Sequence, residues 1–133
     1  MRRNGREAVY KILFSLNFNN SFDEDFKLFI YQEENLSKAD IEFADNHLAL
    51  YNENKEAIDG VIQDLAKGYK LERLYATDKC ALEIAVLEMT YIKEIPYIVS
   101  INEALELVRK YSTAESPNFV NGILAEYKKR LEA

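Results

Sequence analysis

The chain is poor in residues that staple, turn or ligate: it has no tryptophan, one cysteine, one histidine, two prolines and four glycines in 133 residues. A single cysteine, Cys80, excludes an internal disulfide, and its apolar neighbours give it the part of a small buried hydrophobe. The lone histidine, His47, has no Glu-x-x-His arrangement around it. It reads as structural, at the surface or partly buried, and not as part of a multi-ligand metal centre. So few glycines and prolines leave little material for the turns of an all-β fold. Gly5, Gly60, Gly68 and Gly122 are scattered, so there is no glycine-rich loop to cradle a phosphate. No apolar run approaches the ~20 residues that span a bilayer. The opening Met-Arg-Arg-Asn-Gly-Arg-Glu is basic, but a charged amphipathic stretch follows it in place of the apolar core of a signal peptide. A cytoplasmic protein is expected.

Helical periodicity is what the chain has in abundance. Its length suits one domain, and 48% hydrophobic with 30% charged residues is an ordinary globular balance. Val9, Ile12, Leu13 and Leu16 predict a first helix over about residues 6–18, interrupted by Asn17, Asn19, Asn20 and Ser21. A second begins near Asp23 and carries Phe26, Phe29 and Ile30. Ser37 with Asp40 marks a third start, ahead of Ile41, Ala44, Leu48 and Tyr51. A fourth helix carries Ile58, Val61, Ile62 and Leu65 and ends near Gly68. The break at Asn52–Asn54 is weakly marked, and one long bent helix would also fit. After a linker at 69–76, a fifth begins at Thr77 or Asp78. Between Cys80 and Met89 only Glu83 and Glu88 are charged, and a helix apolar nearly all round belongs at the centre of a bundle. Ser100 with Glu103 reads as a capping box opening a sixth helix, and Ser116-Pro117 as the cap and first residue of a seventh. The fold class is all-α: seven helices in two packed subdomains, roughly 1–75 and 76–133.

Little here points to catalysis. No serine or cysteine nucleophile pairs with a plausible base, and no catalytic residue, metal ligand or cofactor is expected. Glu88 shares a stripe with Ala81, Ile84 and Tyr91, so it must find hydrogen-bond partners if buried. Gly122, beside Asn121, lies mid-helix at a cost of about 1 kcal/mol relative to alanine. Close approach of another helix or of a partner chain would offset it.

Charge is more informative by position than in total. The net charge is −6, yet residues 1–11 set Arg2, Arg3, Arg6 and Lys11 against Glu7, leaving −9 on the remaining 122. A polyanion would therefore meet a basic patch on an acidic body. Single-stranded RNA is held by cations on phosphates and by rings stacked on unpaired bases. The amino-terminal arginines supply the first element, and Tyr97, following Pro96 in a turn, the second. Asp78-Lys79 adds a carboxylate and an ammonium side by side.

INEALELVRKY followed closely by SPNFVNGIL resembles the C-terminal signature of the NusB family of bacterial transcription antitermination factors. DKCALEIAVLEMTYIKEIPY is similar to the helix and proline-containing turn that precede it in the family. The resemblance is specific over residues 77–133 and looser between Asn17 and Ala76. It implies a non-enzymatic factor that binds the boxA element of nascent RNA with the ribosomal protein NusE and acts indirectly on the RNA polymerase antitermination complex, notably in ribosomal RNA operons. It also implies RNA contacts at Arg2, Arg3 and Arg6, at Asp78 and Lys79, and at Tyr97. Phe14 stands where relatives often carry an aromatic. The acidic helix faces fit docking of a basic NusE. A similar module begins some ribosomal RNA methyltransferases, but the chain ends at Ala133 and reads as the free-standing factor. Two departures stand out: Glu83 replaces an arginine found in many relatives, and Ile98 replaces a lysine. They make a protein adaptor with weak or no RNA recognition the second reading. With three phosphates on a single strand, the salt slope would be about −2. Whether the protein forms homodimers stays open.

Overall fold

Six helices, rather than seven, account for the described part of the chain. A computed structural model describes residues 2–19 and 21–133, apart from the side chain of Glu72; Asn20, counted above among the helix breakers, lies outside the described residues. The helices are α1 (Arg3–Asn19), α2 (Glu24–Glu33), α3 (Lys38–Leu65), α4 (Ala76–Tyr91), α5 (Tyr97–Tyr111) and α6 (Ser116–Glu132), with a short 3-10 turn at Leu71–Arg73. The predicted third and fourth helices are one. Asn54 leaves helical geometry (φ −125°, ψ 15°), and its side-chain amide donates to the Leu50 carbonyl at 2.9 Å, so α3 kinks there without ending.

Local chemistry sets several ends. Asp23 caps α2 by accepting from the Asp25 and Phe26 amides, and Ser37 with Asp40 forms the capping box expected of α3. Two other expected caps are not caps. α5 begins three residues early, at Tyr97 behind Pro96, which places Ser100 and Glu103 inside the helix. Ser100 turns to the buried Glu88 and Glu103 to Arg3, charge-assisted bonds stronger than a neutral cap. Ser116 is already helical; its hydroxyl accepts from the Thr113 amide at 3.2 Å and closes the turn before α6.

α4 is the central element, packed against α1, α3, α5 and α6. Every residue from Cys80 to Met89 is buried, including Glu83 and Glu88. Buried leucines such as Leu82 and Leu87 each contribute about 1.5–3 kcal/mol by removal from water. α1 runs antiparallel to α4, since Arg6 meets Glu88 while the Tyr10 hydroxyl donates to the Thr77 carbonyl at 2.9 Å. α5 is antiparallel to α4 as well, Ser100 meeting Glu88 and Ser112 meeting Asp78. A division into 1–75 and 76–133 therefore cuts through one continuous core. Gly5 lets α1 close on α3: an added Cβ would stand 3.0 Å from the Phe43 ring and 3.3 Å from the Asp40 carbonyl oxygen. Gly122 is different. It is exposed, with nothing within 4 Å of a would-be Cβ, so packing within the chain does not explain it.

Candidate nucleic-acid interface

The three amino-terminal arginines have separate roles. Arg2 stays half exposed and meets Asp40 at 3.3 Å; Arg3, also exposed, grips Glu103 with two hydrogen bonds of 3.1 and 2.7 Å. Arg6 is 3% exposed and makes a two-pronged contact with Glu88 at 2.7 and 3.1 Å. Glu88 also accepts from Ser100 Oγ at 2.7 Å and faces His47 Nε2 at 2.7 Å, while His47 Nδ1 faces the Phe43 carbonyl at 3.0 Å. Burial works against the Glu88 charge, but the hydrogen bonds from His47 and Arg6 outweigh it and hold the carboxyl below its usual range. Arg6 and His47 are thus core struts. Of the three arginines, Arg2 and Arg3 are the surface-directed ones.

Tyr97 opens α5 half-buried against the core, one turn ahead of Ser100, so it shares this end of the molecule with the arginines. Ile98 beside it is 55% exposed. Asp78 and Lys79 lie elsewhere. They occupy the first turn of α4, ten residues before Glu88 and so ~15 Å away along the helix. Asp78 is buried and accepts from Ser112 Oγ at 2.6 Å, whereas the Lys79 ammonium approaches Asn17 Oδ1 at 3.4 Å. Phe14 lies at this same end, one turn past Tyr10. With Tyr10, Phe26, Ile30, Thr77 and Tyr111 it lines an apolar cleft of about 420 Å³. The predicted contacts therefore do not share one groove; they divide between the two ends of α4, with α1 spanning the distance.

A further cluster of suitable chemistry escaped the reading of the sequence. Tyr69 and Tyr75, 59% and 63% exposed, stand with Arg73 and Phe119 around a cleft of about 320 Å³ that reaches Asp78. Tyr69 meets Phe119 edge-on at 5.8 Å between centroids. Rings left in water beside a guanidinium make a platform on which unpaired bases can stack. The available signal was the Tyr-x-x-x-Arg-x-Tyr run in the linker, which has no helical period to draw attention to it.

A family model described as "NusB family" matches residues 3–129. The chain belongs to the NusB family. It is 41% identical over 129 residues to the transcription antitermination protein NusB of Alkaliphilus oremlandii, covering 95% of this chain and 91% of that one. It is 33% identical to the namesake protein of Finegoldia magna, covering 98% and 96%. Among solved structures, NusB of T. maritima superposes with a TM-score of 0.85 at 32% identity, covering 100% of this chain and 98% of that chain. The NusB chain fold also recurs in a structure of antitermination factors NusB and NusE in complex with dsRNA, with a TM-score of 0.88 at 22% identity and coverage of 97% and 96%.

Within this NusB fold, Glu83 does not place a negative charge on the surface. It is 1% exposed; burial and the neighbouring Asp59 carboxylate push its carboxyl up to about 9. Asp59 Oδ1 is buried and without a hydrogen-bond partner, so a proton kept on Glu83 spares the pair a second buried negative charge. A carboxyl raised on folding contributes stability that is complete below its unfolded value and is lost as pH rises through the folded one. Stability should therefore decline between about pH 4.5 and 9 by a component that Glu83→Gln abolishes, as checked by urea midpoints of both proteins across that range. An equal slope in the variant would contradict a protonated Glu83.

Proposed function

We propose that the chain is a non-enzymatic transcription antitermination factor that binds boxA-type single-stranded RNA together with ribosomal protein NusE in the cytoplasm. The observation that carries this reading is the platform of exposed Tyr69, Arg73 and Tyr75 with the half-buried Phe119 beside the first turn of α4, where Lys79 adds a cation. The family membership supports it: the relatives bear the name of antitermination proteins, and the same fold occurs beside NusE and RNA. On this reading Tyr69, Arg73, Tyr75 and Phe119 hold bases, Lys79, Arg2 and Arg3 hold phosphates, Phe14 and Tyr97 border the path, and Arg6 and Asp78 position their neighbours from within the core.

One observation favours the adaptor reading. Arg2 and Arg3 already pair with Asp40 and Glu103, so RNA must displace a carboxylate to engage either. The more open Arg2–Asp40 pair is a small barrier for a phosphate, ~0–1 kcal/mol, whereas Glu103 is buried and holds Arg3 more firmly. The test is affinity for a boxA oligonucleotide and its scrambled counterpart, with and without NusE. Preference for boxA should appear with NusE present, and Arg2→Ala/Arg3→Ala should flatten the salt slope by about 1.4, or ~0.7 per phosphate contact on a single strand. Binding of NusE without any boxA preference would instead establish the adaptor.

A further inference from the structure

We infer that the cleft between the end of α1, the kink of α3 and the start of α4 is an additional nucleotide subsite, extending the RNA path beyond the aromatic platform. The inference rests on the RNA-binding reading above. The cleft holds about 340 Å³ and is lined by Asn17, Phe22, Tyr51, Asn52, Lys55 and Lys79 together with apolar residues of α1. Each part suits one part of a nucleotide. Lys55 and Lys79 offer two ammonium groups for a phosphate. Phe22, 39% exposed, offers a ring for a base, and the exposed Asn52 amide both donates and accepts, as base edges require. Asn17 donates to the Leu13 carbonyl at 3.2 Å and accepts from Lys79.

Continuity with the platform is the strongest argument. Asp78 lines the aromatic cleft and Lys79, the next residue, lines this one. The first turn of α4 is therefore the saddle between them. Its N-cap residue, Tyr75, makes no side-chain hydrogen bond to the turn, which leaves amide donors and the positive end of the helix dipole facing a strand that crosses it. Local charge agrees. Lys55 donates to Asp59 at 2.7 Å, Glu83 beneath is neutral, and the Tyr51 hydroxyl is occupied with Glu83 at 3.3 Å. The net positive charge of the cleft thus comes from Lys79, and a phosphate engages the half-exposed Lys55 by displacing Asp59. An acidic protein segment would use the lysines but would leave the ring and the Asn52 amide without purpose.

The test uses the full chain, isotope-labelled, with NusE and a single-stranded RNA dodecamer whose first half is the boxA core. RNA should shift the side-chain amide signals of Asn17 and Asn52 as well as the backbone of Tyr69–Tyr75. Lys55→Gln should weaken dodecamer binding by about 3- to 10-fold and lower the salt slope by ~0.7, while leaving the core hexamer unaffected. Shifts confined to Tyr69–Tyr75 and Phe119, with wild-type affinity in Lys55→Gln, overturn the subsite and leave the antitermination reading intact. No binding of either RNA by the wild-type pair overturns both. Shifts at Asn17 and Asn52 from a polyglutamate peptide and none from RNA would assign the cleft to a protein partner and overturn the inference.

Discussion

Glu88→Ala should lower the free energy of unfolding by about 3–5 kcal/mol, the cost of stranding a buried charge. Arg6 has nowhere to turn: it is 3% exposed, and its Nη1 stands 3.7 Å from Glu103, too far for a hydrogen bond. Ser100 and His47 would lose their acceptor in the same change. Urea unfolding measures the loss. Ser100→Ala provides a milder step, removing one bond to a charged acceptor at about 1.5–3 kcal/mol. The acid limb carries its own signature. A carboxyl held low in the folded state stabilises above its unfolded value, near 4.3, and that stability disappears as pH falls through the lowered folded value. Glu88→Gln should therefore show a shallower fall in stability under acid than the wild type, from a lower starting point at neutral pH. A neutral-pH loss below about 1 kcal/mol in Glu88→Ala would mean that Arg6 finds water or another acid, and the strut would have to be abandoned.

Tyr75→Ala should weaken boxA binding in the presence of NusE by about 5- to 150-fold, equivalent to the 1–3 kcal/mol per stacked base typical of aromatic platforms. At 63% exposure the ring contributes little to the core, so the urea midpoint should stay within about 0.5 kcal/mol of wild type. Tyr75→Phe keeps the π-face and should bind nearly as well as wild type. Tyr69→Ala is the less clean probe, because that ring also packs on Phe119 and its removal loosens both. Unchanged affinity in Tyr75→Ala would move the RNA path to the arginine end, and the flattened salt slope of Arg2→Ala/Arg3→Ala would then have to carry the whole effect.

Much of the fold was legible because it depends on short-range pattern. The apolar run of α4 announced a central helix, and Ser37 with Asp40 announced the start of α3 from two residues three apart. Failures came where a residue's partner lies far off in the chain. Ser100 and Glu103 have the spacing of a cap, yet Glu88, Arg3 and Arg6 compete for the same side chains from elsewhere. Arg6 counted as a surface cation because its carboxylate is 82 residues away. Glu83 looked like a charge hostile to RNA, and only burial beside Asp59 reveals that it is neutral. The platform was missed for a third reason: a short linker has no period, and Phe119 fitted the apolar stripe of its own helix.

The four-way junction at Glu88 also bears on synthesis of the chain. Arg6, His47, Glu88 and Ser100 come from α1, α3, α4 and α5, so the last member is translated 94 residues after the first. Glu88, the partner of Arg6, follows it by 82 residues; at ~5–20 residues per second α1 waits roughly 4–16 s with its guanidinium unmatched, and burying it sooner would cost several kcal/mol. A dry core in the nascent amino-terminal half is thereby disfavoured until α4 has left the ribosome.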